Sequence, residues 1–287
     1  MKKLLYICLF IAVVAIGIFI YRDKIFPKPL VVVEVPVVVL TVSEKVIGKS
    51  VEGRNITAFS YGTGEKEILF VGGIHGGYEW NTVMLAYELM DYFKENPDQI
   101  PKNITFTVMP TLNPDGLYKI TGKDGRFNLT DVGMAKVLGE GRFNANNVDL
   151  NRNFDCSWKP EAKWRDKIVS AGTSAFSEPE TLAFKNLVLK KKPVAVVFAH
   201  SASNGVFGSS CGGQISSETR ALMSTYSKAS LYPVNDTFSA YPVTGDASDW
   251  LSTVGVPAIS VELATHESIE FDKNLAGAKA LMEIFEE

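Results

Sequence analysis

The chain has 287 residues, 46% of them hydrophobic, enough to bury one sizeable core or at most two small ones. Its net charge is -3, so no basic surface points to a nucleic-acid partner. Neither an internal repeat nor a low-complexity segment interrupts it, and no separate pro-domain is visible.

The first element stands apart from the rest. Met1-Lys2-Lys3 precedes an uncharged apolar run, Leu4 to Tyr21, closed by Arg22, Asp23 and Lys24. Its length is near the lower limit for spanning a bilayer. A secretory signal has a shorter apolar core and small residues at a cleavage site. The ending Gly17-Ile18-Phe19-Ile20-Tyr21-Arg22 offers no such site. Residues 1–24 therefore read as an uncleaved membrane anchor; if they are cleaved, the remainder is secreted. Lys2 and Lys3 oppose Arg22, Lys24 and Lys28, so charge does not set the orientation. Cys8 lies inside the run and does not look like a lipid-attachment site. Residues 25–43, with Pro27, Pro29 and Pro36, read as a juxtamembrane connector. Val37 to Val46 continues that connector or forms a first strand. The globular domain is expected over residues 44–287.

Within it, apolar runs alternate with helical periodicity. Thr57 to Tyr61, Ile68 to Ile74, Ile104 to Met109, Val194 to Ala199 and Val256 to Leu263 are expected strands. Asn81 to Lys94, Glu178 to Leu189, Ser216 to Ser227, Ala247 to Val254 and Asp272 to Phe285 are expected helices. Ser177 is the expected N-cap of the second helix, ahead of Pro179 and Glu180, and Asp272 that of the last. Asn113-Pro114-Asp115-Gly116 reads as a turn. Several strands are apolar on both faces, so helices should cover both sides of the sheet. This is one α/β domain.

Three apolar runs end in a polar residue: Ile68–Ile74 in His75, Val194–Ala199 in His200, and Val256–Val261 in Glu262. Ligands of α/β sheets bind at the carboxyl ends of strands. Glu79 follows His75 across Gly76 and Gly77, at the mouth of a strand-to-helix turn. Imidazole and carboxylate four apart can reach one zinc ion. Taken alone, the pair fits equally a capping carboxylate beside a partly exposed histidine. Two histidines with Glu79 meet the three-ligand requirement of a catalytic zinc. Glu262, embedded in Ile-Ser-Val-Glu-Leu, is costly to desolvate unless it meets a charge or a metal. A base beside activated water explains it better than a structural salt bridge. The stretch Gly141 to Phe154 is dense in Asn and Arg, which bind carboxylates and carbonyls. Its spacing alone favours a solvated loop with Asx turns.

From Ile47 to the C-terminus the motifs and their order resemble the M14 family of zinc carboxypeptidases. The matching pieces are Ile68–Glu79, Asn113–Gly116, Val148–Phe154, Phe176–Thr181, His200-Ser201 and Gly255–Glu262. The resemblance implies a three-layer α/β/α sandwich around a mixed central sheet, here preceded by an N-terminal transmembrane helix. It implies one zinc ion held by His75, Glu79 and His200, with Glu262 as general base. Asn151 and Arg152 would grip the terminal carboxylate of a peptide substrate. Arg142 would polarise the scissile carbonyl, with Arg126, in a similar Gly-Arg-Phe-Asn context, as its alternative. Tyr241 would cap the substrate, with Tyr232 as competitor.

One departure from the family pattern concerns the ligands: the usual His-x-x-Glu carries an extra residue here, which a bulge at Gly76-Gly77 would absorb. The activity implied is hydrolysis of a C-terminal peptide bond. The alternatives are a related deacylase of small N-acyl amino acids and a metal-free, membrane-tethered recognition domain. Thr244–Asp249 aligns with the family's specificity segment, which makes Asp246 either a pocket-floor group for a cationic side chain or a helix cap. Cys156 and Cys211 are expected to pair if the domain lies outside the cytoplasm, and this pair is the ground for placing it there.

Overall fold

The computed structural model describes residues 2–25 and 42–286. The expected connector falls almost wholly outside them. The first helix, α1 (Lys2–Ile25), forms a unit separate from the residues that follow Val42. Its Lys2–Phe19 window has a mean hydropathy of 2.2 and none of it is buried, so it is long and apolar enough to cross a membrane.

The second unit is built on an eight-stranded mixed sheet. Its strands are β1 (Val42–Lys49), β2 (Asn55–Tyr61), β3 (Lys66–Val71), β4 (Ile104–Met109), β7 (Ala195–Ser201), β8 (Gly205–Gly208), β9 (Val234–Asn235) and β10 (Ala258–Leu263), in the order β1-β2-β4-β3-β7-β10-β8-β9. The central four, β4, β3, β7 and β10, run parallel. A two-stranded hairpin, β5 (Glu161–Trp164) and β6 (Lys167–Ser170), stands apart from the sheet.

Strand alternation explains the layers. Ile68 and Phe70 of β3 face one side, with Phe106, Val197 and Val261, while Leu69 and Val71 face the other, with Val196 and Phe198. The first face is covered by α2 (Trp80–Glu95), α5 (Ser217–Ser230) and α7 (Phe271–Ile284), through Leu89, Phe93, Leu222, Tyr226 and Leu281. The second is covered by α4 (Pro179–Lys191) and α6 (Ala247–Thr253), through Phe184, Leu187, Trp250 and Leu251. Each such side chain contributes about 1.5–3 kcal/mol by leaving water. The expected three-layer α/β/α sandwich is the observed fold.

Some local expectations are corrected. Asn113–Gly116 is not a free turn: it opens a helix, α3 (Pro114–Thr121). Asn113 accepts from the Gly116 N–H and Pro114 takes the first helical position, the signature of a helix start. Ser177 does not cap α4. Glu178 holds the N-cap position, and the Ser177 hydroxyl donates to the Glu178 carboxylate. Asp272 lies in the first turn of α7, with Glu270 at the N-cap. Cys156 and Cys211 are joined by a disulfide, as expected.

Candidate active site

Neighbouring parallel strands β3, β7 and β10 open their carboxyl ends on one edge of the sheet. His200 is part of β7, and Glu262 sits beside it in register on β10. From β3 the chain passes Gly72 and Gly73 to His75, then makes a single 3₁₀ turn, Gly76–Glu79, before α2. Gly76 has φ +47, and a Cβ there would lie 2.6 Å from the Gly141 carbonyl oxygen. A Cβ on Gly77 would lie 2.4 Å from Ile120 Cγ1. Only glycines let this turn settle so close to its neighbours. The turn absorbs the lengthened spacing: His75 Nδ1 comes within 2.7 Å of Glu79 Oε1, while Tyr78 turns to pack against His266 and Trp164.

His200 Nδ1 lies 3.3 Å from Glu79 Oε2, so one carboxylate is shared by two imidazoles. The ligand atoms of His75, Glu79 and His200 all lie within 4.8 Å of one another, and all three residues are buried. Burial opposes ionisation of Glu79, but the two histidines outweigh it and hold the carboxyl well below its usual range. Burial likewise opposes protonation of His200, and Glu79 outweighs it, raising that group. Two imidazole nitrogens and one carboxylate are the donor set of a catalytic zinc. The ring of His75 supports the fit. Its Nδ1 is turned into the cluster, and its buried Nε2, which makes no hydrogen bond among the described residues, lies 3.5 Å from Asp149 Oδ1. An outer carboxylate orienting a ligand histidine is the usual companion of a metal site.

Asp149 was not singled out from the sequence, although it lies inside the Asn/Arg-rich stretch. It is fully buried, and Arg142 Nε and Nη2 donate to its Oδ2 at 3.0 and 2.8 Å. Burial disfavours its charge, yet Arg142 and then Arg152 keep it ionised far below the usual range. Arg142, 2% exposed, thus keeps Nη1 free to face the cluster, 3.8 Å from Glu79 Oε1. The alternative, Arg126, is exposed, pairs with Asp91 and stacks on Tyr87.

A cavity of about 510 Å³ opens beside the cluster, lined among others by Arg142, Asn151, Arg152, Tyr241, Asp246 and Glu262. Arg152 donates Nε to the Lys163 carbonyl and Nη1 to the Asn151 carbonyl, which leaves Nη2 for a ligand. Asn151 accepts from the Ala247 N–H and donates to Asp246 Oδ2 at 2.8 Å. Gly245 straps this wall in place: its N–H donates to the Cys156 carbonyl, its carbonyl accepts from Phe154 N–H, and a Cβ there would strike Arg152. Tyr241 packs edge-on to Phe238 on the rim, while Tyr232 lies in the core with its hydroxyl on Glu270.

Asp246 holds the cap position that the sequence offers it. Its Oδ1 accepts from the Ser248 and Asp249 N–H groups as the cap of α6, and the residue lines the cavity. Asp249, missed in the sequence, lines it too. Burial, then the charge of Asp246, pushes its carboxyl up to about 7. Glu262 accepts from the Ser203 N–H at 3.1 Å, and burial pushes its carboxyl up to about 7 against the pull of His200. The third histidine, His266, also belongs to the neighbourhood: the Ser201 hydroxyl meets its Nδ1 at 2.9 Å, and Asn81 donates to the Thr265 and Ser268 carbonyls. Asn81 and Ser201 thus tie one loop to both ligand-bearing segments.

The zinc carboxypeptidase family model matches residues 41–276. Carboxypeptidase B of Astacus astacus is 34% identical over 154 residues, covering 50% of this chain and 48% of that protein. The chain spans about half or less of the length of the curated relatives it matches. Among solved structures, carboxypeptidase A from Helicoverpa armigera superposes with a TM-score of 0.64 at 21% identity, covering 85% of this chain and 67% of that one. Murein-tripeptide amidase MpaA from Escherichia coli O157 superposes with a TM-score of 0.58 at 22% identity, covering 84% and 91%. These two are likenesses of fold. With the family model spanning most of its length, the chain belongs to the zinc carboxypeptidase family.

Proposed function

We propose that this protein hydrolyses the C-terminal peptide bond of peptides bearing a free terminal carboxylate. The observation that carries the reading is that the Asn151–Arg152 pair shares one cavity with Arg142, His75, His200 and Glu262. His75, Glu79 and His200 would hold one zinc ion, which when bound acidifies water and polarises a carbonyl. Arg152 and Asn151 grip the terminal carboxylate and so place the last peptide bond beside Glu262. Glu262 takes a proton from the attacking water and passes it to the leaving amine. Arg142, oriented by Asp149, offers Nη1 to the developing oxyanion. Tyr241 closes over the bound residue and excludes water. A peptide with a free C-terminus should lose its last residue, while the same peptide amidated at that end should be cleaved at least ~10²-fold more slowly, since a charge-assisted pair is lost. Equal rates on the two would reject the role of Arg152. N-acetyl amino acids in the same panel read out the deacylase alternative.

Asp246 and Asp249 both line the cavity, and their carboxyl groups support a preference for a C-terminal residue with an amino or guanidino group over an anionic one. Asp246→Asn should lower the Lys-to-Phe ratio of kcat/KM. A cap acting alone would leave that ratio unchanged, and stability with it, since asparagine keeps the Oδ1 acceptor and caps a helix about as well as aspartate. The apolar helix α1 and the disulfide together support a membrane-held domain facing an oxidising compartment outside the cytoplasm.

A further inference from the structure

Beside the first cavity lies a second, of about 340 Å³, and the two share His75, Arg142, Tyr241 and Glu262. On the peptidase reading above, on which this step rests, a substrate whose last residue fills the first cavity lays the preceding residue in the second. The outer wall of the second cavity is the β5–β6 hairpin. Trp164 stands edge-on to Tyr78, with ring centroids 5.3 Å apart. Two guanidinium groups flank this aromatic pair: Arg142 Cζ lies 4.7 Å and Arg165 Cζ 5.7 Å from the Trp164 ring.

The two arginines differ in what they hold. Arg142 is held by Asp149 through Nε and Nη2 and turns Nη1 to Glu79 in the cluster. Arg165 donates only a long hydrogen bond, 3.4 Å, to the Tyr78 hydroxyl, and makes no ion pair among the described residues. Asp166 lines the same cavity but does not pair with it. The backbone adds a second observation. Trp164 pairs with Lys167, so Arg165 and Asp166 form a two-residue hairpin turn. Arg165 takes φ +55, a conformation that favours glycine. An arginine held in a glycine position keeps an uncompensated cation against the aromatic wall of a substrate cleft.

We propose that Arg165 selects substrates carrying a carboxylate on the residue before the C-terminal one. A carboxylate in this cleft receives charge-assisted N–H bonds from a planar guanidinium already backed by an indole ring. The test uses peptides with one C-terminal residue and Glu, Gln or Lys before it. It reads kcat/KM with the zinc-loaded wild type, Arg165→Gly and Arg165→Glu, and Kd for the same peptides by calorimetry. Wild type should prefer Glu over Gln by ~10-fold, the scale of one charge-assisted bond partly screened by solvent. Arg165→Gly should bring that ratio to about one without lowering Tm, because glycine suits the turn. Arg165→Glu should favour Lys. Equal binding of the Glu and Gln peptides by wild type, or a ratio that survives Arg165→Gly, overturns the proposal. Preferential binding of the Glu peptide with no release of any C-terminal residue would overturn the peptidase reading and leave the subsite standing.

Discussion

Replacing Glu262 by glutamine is expected to lower turnover by a factor on the order of 10³ or more, with fold and zinc content unchanged, because one substitution removes both the base and the acid of the cycle. The amide keeps the size of the side chain and an oxygen to accept from the Ser203 N–H, so the strand end need not move. Metal analysis beside steady-state kinetics checks the outcome. Near wild-type turnover in zinc-replete Glu262→Gln would remove the residue from the mechanism. The same variant carries a stability signature in metal-free protein. The folded-state value of Glu262 is raised from 4.5 to about 7, so the native state binds the extra proton between those values. Stability therefore falls as pH rises through that window, by at most ~3 kcal/mol for this group. Glutamine has no proton to lose, so Glu262→Gln should flatten that part of the wild-type profile, with the variant gaining relative stability above pH 7. Chemical denaturation at several pH values reads it.

Glu79→Ala is expected to abolish stoichiometric zinc retention after dialysis, and activity with it. Removing an outer partner of a metal ligand costs ~10–100-fold in affinity, and losing one of three ligands should exceed that. Among the described residues, Glu79 is the carboxylate that groups with both His75 and His200 in the buried cluster. Alanine leaves two buried imidazoles facing each other, with ring centroids 5.0 Å apart and no anion between them. Metal content by mass spectrometry is the deciding measurement. Unchanged stoichiometry would reject Glu79 as a ligand and point to another donor near Asp149.

Much of this site was legible because it sits where a strong pattern stops. The apolar runs at 68–74, 194–199 and 256–261 had to be strands buried on both faces, and the polar residue ending each had to emerge at one rim once those strands lay parallel. That pattern marked His75, His200 and Glu262 as polar residues at strand ends; their roles as ligands and base, with Glu79, followed only from the resemblance to the zinc carboxypeptidases. The short strands β8 and β9 and the β5–β6 hairpin were not legible, because two to four residues with no sustained alternation carry no periodic signal. Ser177 and Asp272 were misread as caps since an N-cap is defined by backbone angles, which a favourable residue type does not by itself impose.

What only the tertiary structure decided concerns groups whose role is set by distant neighbours. Arg126 and Arg142 share the context Gly-Arg-Phe-Asn, and nothing local separates them. Packing puts one on the surface with Asp91 and buries the other on Asp149 beside the cluster. Asp149 and Asp249 look like ordinary loop and helix acids in the chain. Their perturbed ionisation comes from burial, which the folded core imposes, and from the charges packed against them there, Arg142 and Arg152 for the first and Asp246, the cap of the same helix, for the second. Likewise the aromatic wall of the second cavity joins Tyr78 and Trp164, two residues far apart in sequence, and His266 packs against Tyr78. Hydrophobic periodicity determines which segments are buried and where they end; the field and the contacts at each polar group are sums over neighbours that exist only once the sheet has closed.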